Sequence, residues 1–262
     1  MKPIEQLISL EGRRAVITGA ASGIGRATAI RLAEAGSSLH LVDINPEGLE
    51  KTRQLASRWK VDIQMHIVDL SRRREIDNLW RILSKKKPDI LINNAGVYEF
   101  RDFLQVDPSF YRKNMAINLD AVFWMSQHFI RSLEDGAGTI VNVSSIEAFL
   151  PFARGLAHYD TAKLGIVALT RAIAREFGSR IRANVVVPGG IETEGVKRLK
   201  KETLTRMDLK KLGISFNFNS RLPAGRFGNP DEVARVILFL VSELASYING
   251  AIIPVDGGFL SS

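Results

Sequence analysis

The stretch AVITGAASGIGRATAIRLAEA, Ala15–Ala35, decides how this chain folds. Ala15-Val16-Ile17 is a short apolar run bounded by polar and turn residues, the pattern of a strand buried on both faces of a parallel sheet. Thr18–Gly25, TGAASGIG, is a glycine-rich turn. Arg26–Ala35 then has helical spacing, with Ile30 and Leu32 among alanines and Gly36 as a cap. Strand, glycine turn and helix together aim free backbone N–H groups and the positive end of a helix at a pyrophosphate. Gly19, Ser22, Gly23, Ile24 and Gly25 are therefore candidate cofactor-binding residues. The spacing is TGxxxGxG rather than GxGxxG, and a tight βα turn with no ligand would use the same glycines.

Outward from that stretch, composition narrows the class. The 262 residues are 45% hydrophobic, ample for a core, and no internal repeat, low-complexity tract or linker divides them. One domain over 1–262 is expected. There is no cysteine, so disulfides, iron–sulfur clusters and thiolate zinc sites are excluded. The four histidines and three tryptophans show no metal-ligand spacing, so no metal site is expected. Met1–Leu10 does not resemble a signal peptide, and no apolar run approaches the ~20 residues of a membrane span. A soluble, cytoplasmic protein without a membrane partner is expected. The net charge of +8 is spread among acidic residues and no nucleic-acid motif accompanies it, which argues against a nucleic-acid partner.

The second strand, Ser38–Val42, delivers Asp43 at its carboxyl end, 20 residues after Gly23. A carboxylate there takes hydrogen bonds from an adenosine ribose and repels a 2′-phosphate; Ser22, Ile44 and Asn45 add no positive charge. Capping the helix that begins near Pro46 is its other possible role. A third strand, Asp62–Val68, ends in Asp69 and leads to a helix through Leu79 and Ile82, flanked by Arg72–Arg74 and Lys85–Lys87 as solvated charge. Ile90–Ile92 is the fourth strand and ends in Asn93-Asn94-Ala95-Gly96, small and amide residues suited to a ligand crevice. A long helix is predicted over Pro108–Arg131. Asn118 lies inside its apolar stretch and needs a polar partner.

In VNVSSIEAFLPFARGLAHYDTAK, Val141–Lys163, Tyr159 and Lys163 stand four apart, which on a helix puts both side chains on one face. A free phenol titrates near pH ~10, and a cation within reach lowers it by roughly one to three units. Ser145 follows a strand-like run, Thr139–Val143, where its hydroxyl could reach a polarised oxygen. Further on, Ala183–Val187 and Ala251–Val255 read as strands and Asp231–Val241 as a helix, with Ile191–Leu222 an insertion between them.

TGAASGIG (Thr18–Gly25), NNAG (Asn93–Gly96), Asn118, Ser145, YDTAK (Tyr159–Lys163), PGGIET (Pro188–Thr193) and the ending Pro254–Gly258 occur in the order seen in short-chain dehydrogenases/reductases, and the likeness runs from about Leu10 to Phe259. The resemblance implies a single doubly wound Rossmann domain of seven parallel strands with helices on both faces, and a homotetramer. It implies that Tyr159 exchanges a proton with the substrate oxygen, that Lys163 lowers its pKa and holds the nicotinamide ribose, that Ser145 hydrogen-bonds the carbonyl or hydroxyl, and that Asn118 positions a water. Asp69 and Leu70 would border the adenine, Asn94, Ala95 and Gly96 the central ribose region, and Pro188, Gly189, Ile191 and Thr193 the nicotinamide side. The Ser145–Tyr159 interval is one residue longer than is usual there, and a bulge in Glu147–Gly155 is expected to absorb it.

The expected activity is NAD(P)-dependent interconversion of a secondary alcohol and a ketone, with NAD preferred over NADP through Asp43. The shared motifs leave the small-molecule substrate open. GRFGNPDEVA (Gly225–Ala234) resembles 3-oxoacyl thioester reductases, and Glu147 with His158 resembles glucose dehydrogenases. A nucleotide sensor without turnover would have no need of Asn118, Ser145, Tyr159 and Lys163 together. The insertion is expected to cover the substrate as a basic lid, with Lys197, Arg198, Lys200, Lys201, Arg206, Lys210 and Lys211 favouring an anion or simply solvated.

Overall fold

Seven strands align as one parallel sheet whose central members, β1, β4, β5 and β6, are apolar runs buried on both faces, while the edge strands β3 and β7 are partly exposed. The structure, a computed structural model, describes residues 1–83, 86–196 and 221–262. In chain order the elements are α1 (Ile4–Ile8), β1 (Arg14–Thr18), α2 (Gly23–Glu34), β2 (Ser38–Asp43), α3 (Pro46–Ala56), β3 (Ile63–Ile67), α4 (Arg73–Leu83), β4 (Ile90–Asn93), α5 (Pro108–Met115), α6 (Ala121–Leu133), β5 (Gly138–Val143), α7 (Ala157–Glu176), β6 (Ile181–Pro188), α8 (Pro230–Val241) and β7 (Ile252–Val255). The strand order is β3-β2-β1-β4-β5-β6-β7, every pair parallel.

Alternation along the strands sorts the core into two layers. Ala15 and Ile17, Ile90 and Ile92, and Val141 and Val143 pack with Leu32 of α2, Leu49 of α3 and Ile237 of α8. Val16, Leu91 and Ile140 pack on the other face with Trp80 of α4, Phe129 of α6 and Ile173 of α7. α8 is stopped in place at its start. Asn229 and Glu232 form a capping box, Pro230 is the first helical residue, and Asp231 takes Arg31 of α2 in a two-pronged ion pair at 2.5 and 2.8 Å.

This order puts the site where it is. The chain winds from β1 outward to β2 and β3, then returns to the other side of β1 as β4, so the strand order reverses at β1 and β4, the place for a ligand crevice at the carboxyl edge.

The long helix expected over Pro108–Arg131 is interrupted. Between α5 and α6 a π-turn, Ala116–Asp120, inserts an extra residue. It turns Asn118 inward, fully buried, where its amide donates to the Val97 carbonyl at 3.1 Å and its oxygen accepts the Val97 N–H at 3.0 Å. Periodicity sees only a helix here, whereas the buried amide requires a partner and the turn supplies the reach. The predicted insertion is described only at its ends: Ile191 bridges to Gly228, and the basic lid, residues 197–220, lies outside the described residues.

Candidate active site

The glycine turn is shaped by close approach. Gly19 has φ +66°, and a Cβ on Gly25 would lie 2.0 Å from the Gly19 carbonyl oxygen and 2.6 Å from the Asn94 amide nitrogen, so no side chain fits at residue 25. α2 begins at Gly23, three residues before the helical pattern is visible in the sequence, so its N-terminus opens inside the turn. Ser22 stands at the cap position but its side chain does not cap. Instead the Glu194 carboxylate accepts the Gly23 N–H at 2.8 Å and pairs with Arg26. The Glu194 carboxylate there meets the free N–H and positive end of α2, the polarity expected of a helix N-terminus. Ile24 packs beneath it against the core.

Asp43 ends β2. Its two oxygens accept the N–H groups of Ala21 (3.1 Å) and Asn45 (3.0 Å), tying the carboxylate to the glycine turn, and no ion pair joins it to a basic residue among those described. Asn45, rather than Asp43, caps α3 through Gly48 at 3.0 Å. Past β3, Asp69 accepts both the backbone N–H and the hydroxyl of Ser71, at 3.0 and 2.6 Å; that hydroxyl is the main reason its pKa lies below the usual carboxylate range. Leu70 is buried beside it in the core.

The NNAG stretch is held by Thr18, which the sequence reading passed over. Thr18 Oγ1 accepts the N–H groups of Asn94 (2.9 Å) and Ala95 (3.1 Å), while the Asn94 amide donates to the Thr18 and Gly19 carbonyls. Asn94 thus locks the glycine turn with the side chain expected near a ribose. Gly96 lies at the centre: a Cβ there would be 2.9 Å from Asn118 Oδ1 and 3.4 Å from Lys163 Nζ. Across the crevice, Pro188 ends β6, Gly189 donates to Val255 at 3.1 Å, and Ile191 is buried. Thr193 comes so close to the start of α2 that a Cβ on Gly23 would meet its methyl at 3.0 Å.

The reacting groups stand between these walls. Ser145 follows β5 and caps a short 3₁₀ turn, Ile146–Ala148, through the Glu147 N–H at 3.3 Å. Tyr159 and Lys163 lie one turn apart on α7, and the Ser145 hydroxyl is close enough to that of Tyr159 to oppose the rise of its pKa. The longer Ser145–Tyr159 interval therefore does not separate the two hydroxyls. Glu147 bonds the Phe152 N–H within it, at 3.0 Å. Lys163 is buried, its Nζ donating to the Val143 carbonyl at 2.9 Å and lying 5.6 Å from the Tyr159 ring centre.

Burial governs the charge of the pair. Desolvation dominates both: it raises the Tyr159 phenol, against the opposing hydrogen bond from Ser145, and brings the Lys163 ammonium down to about 8. At neutral pH Tyr159 is a phenol, ready to give a proton. Glu147 is pushed up to about 7 and Asp160 to about 6, both chiefly by burial. Tyr98, unmarked in the sequence, lies edge-on to Tyr159 with ring centres 5.0 Å apart. His158, singled out beside Glu147, bonds the Glu99 carbonyl at 3.0 Å and packs on Phe110.

The crevice thus unites the N-terminus of α2, the Asp43 carboxylate at the end of β2 and a pair of hydroxyls beside a buried lysine, and the chain is similar to known proteins over nearly its whole length. A family model described as enoyl-(acyl carrier protein) reductase matches residues 19–260. The chain is 33% identical to a 3-oxoacyl-(acyl-carrier-protein) reductase of Aquifex aeolicus, over 96% of this chain and 98% of that one. It is 33% identical to a galactitol 2-dehydrogenase (L-tagatose-forming) of Cereibacter sphaeroides, over 95% and 96%. A structure described as an NAD(P)-dependent gluconate 5-dehydrogenase of Beutenbergia cavernae, with bound NADP at low occupancy, superposes with TM-score 0.88 at 32% identity, over 98% of this chain and all (100%) of that one. The chain belongs to the short-chain dehydrogenase/reductase family, NAD(P)-dependent oxidoreductases that interconvert an alcohol and a carbonyl.

Proposed function

We propose that Tyr159 is the acid–base residue of this oxidoreductase, with Ser145, Lys163 and Asn118 as its partners. The observation that carries the reading is the Ser145–Tyr159 hydroxyl pair, set beside the buried Lys163 and across the crevice from the N-terminus of α2. A nicotinamide cofactor held in the crevice would supply or accept the hydride at the substrate carbon. Ser145 donates to the substrate oxygen and orients it. In reduction Tyr159 gives its phenolic proton to that oxygen, and in oxidation the tyrosinate takes the alcohol proton back. Lys163 stabilises the tyrosinate and reaches the nicotinamide ribose, while Asn118 fixes Val97 and hence the wall that carries Gly96. The glycine turn (Gly19, Ser22–Gly25), Asp69, Leu70, Asn94–Gly96 and Pro188–Thr193 would hold the dinucleotide.

NAD(H) is the preferred cofactor in this reading, from the Asp43 carboxylate, which has no ion-pair partner among the described residues, and the enzyme draws on the cytoplasmic pool. One dinucleotide-binding domain carries the whole site, supported by the single seven-stranded sheet. A homotetramer is supported by apolar side chains exposed on α5, α6 and α7, namely Tyr111, Phe123 and Leu164. Similarity to a galactitol dehydrogenase and a gluconate dehydrogenase supports a polyol or sugar acid as substrate. The second reading, a 3-oxoacyl thioester reductase, is supported by the Aquifex relative and by Gly225–Ala234.

A panel of polyols, sugar acids and 3-oxoacyl thioesters, followed by cofactor absorbance, separates these substrates. In the same assay Tyr159→Phe should lower kcat by at least a hundredfold while cofactor affinity stays within a few-fold. Near-normal turnover of that variant refutes the assignment.

A further inference from the structure

Two residues past Ser145, Glu147 is 2% exposed, which for a carboxylate calls for a partner. Its surroundings are few. Oε2 accepts the Phe152 N–H at 3.0 Å, and Oε1 lies 3.5 Å from the Tyr98 hydroxyl. From α7 it faces Tyr159 and Asp160, both acids. No lysine, arginine or histidine pairs with it among the described residues; Lys163 is tied to the Val143 carbonyl instead. Tyr98, which holds Oε1, is the same ring that packs edge-on against Tyr159.

We infer that Glu147 is a positioning residue for the proton transfer, its carboxyl set through Tyr98 against the reacting phenol so that its charge controls when Tyr159 can act as a base. The inference rests on the assignment of Tyr159 as acid–base residue. The sign follows from like charge. An ionised Glu147 beside a desolvated phenol opposes tyrosinate, the form needed to oxidise an alcohol, while leaving the phenol needed to reduce a ketone. A neutral Glu147 lifts that opposition. Because burial holds the Glu147 carboxyl near neutrality, its charge switches within the working range. Asp160 faces the same phenol and has one buried oxygen without a hydrogen bond, so it is the competing source of such a field.

Glu147→Gln keeps the shape and a carbonyl for the Phe152 N–H but removes the charge. The assay is oxidative kcat/KM with NAD⁺ and the fastest alcohol of the panel, at pH 6 and pH 8. The variant-to-wild-type ratio should rise about tenfold between the two pH values, one pKa unit of lost repulsion, whatever its absolute level at pH 6. A carboxyl that only pins the 147–153 loop changes the rate by the same factor at both pH values, and a flat ratio overturns the inference. Tyr98→Phe is the second variant, usable if Glu147→Gln does not fold. Losing the donor to Oε1 should move the wild-type inflection upward, and an unmoved inflection again overturns the inference. Asp160→Asn reproducing the rise while Glu147→Gln does not would assign the field to Asp160 and overturn it too. Tyr159→Phe separates this failure from that of the underlying assignment. An active Tyr159→Phe sinks the assignment itself, whereas an inactive one with a flat Glu147→Gln ratio sinks only the role of Glu147.

Discussion

Asp43 should make this enzyme choose between its two cofactors, and replacing it should remove the choice. The carboxylate ends β2 with both oxygens engaged by backbone N–H groups, so it is held in one orientation and has no ion-pair partner among the described residues. A 2′-phosphate brought to about 5 Å from it meets a like charge. At an effective dielectric of about 20 the repulsion is roughly 3 kcal/mol per unit charge, and salt screening at the open edge of the crevice trims it to about 2–3 kcal/mol. That corresponds to roughly a hundredfold preference for NAD(H), at ~1.4 kcal/mol per factor of ten. Asp43→Asn removes the charge and leaves one amide hydrogen opposed to a backbone N–H, so it should lose some NAD(H) affinity while the preference falls below about tenfold. Parallel titrations of both cofactors, by calorimetry on wild type and variant at fixed ionic strength, read the ratio directly. Equal or tighter NADP(H) binding by the wild-type protein, or an unchanged ratio in the variant, refutes the argument and means that the carboxylate does not meet the ribose.

Two further outcomes follow from packing and burial. Gly25→Ala places a Cβ 2.0 Å from a backbone oxygen that cannot rotate away, so α2 must shift; dinucleotide affinity should fall at least tenfold, by fluorescence titration, while circular dichroism still shows a folded sheet. His40 and His66 meet at 3.0 Å across β2 and β3; burial first, then His66, brings His40 down to about 4, and burial lowers His66 as well. The unfolded chain therefore binds more protons between about pH 6.5 and 4, so this stability is complete above that window and is lost as pH falls through it. The melting temperature should drop by at least a few °C over the window, and His40→Val should flatten much of the drop. An identical slope in the variant rules out the histidine pair as the cause.

Local order in the chain carried the strand, the glycine turn and the α7 pair. Alternation and helical period are properties of consecutive residues, so Ala15–Ile17, Asp43 at a strand end and the i, i+4 spacing of Tyr159 and Lys163 were all legible before any folding. What depends on partners distant in sequence was not. Glu194 reaches Gly23 across 171 residues and Asp231 reaches Arg31 across 200, contacts that exist only because α8 and the end of β6 are folded back over α2. The π-turn at Ala116–Asp120 was invisible because its cause is a buried bond from Asn118 to Val97, not a pattern within the helix. Thr18 opens the glycine motif without a role legible from it, and Tyr98 carried no motif; the β1–β4 crossover and the edge of the Tyr159 ring give them their roles. The raised Tyr159 phenol, where burial outweighs the opposing Ser145 hydroxyl, has the same origin. Spacing says which groups meet, but only the packed structure decides how much water each has lost, and desolvation then sets their charge.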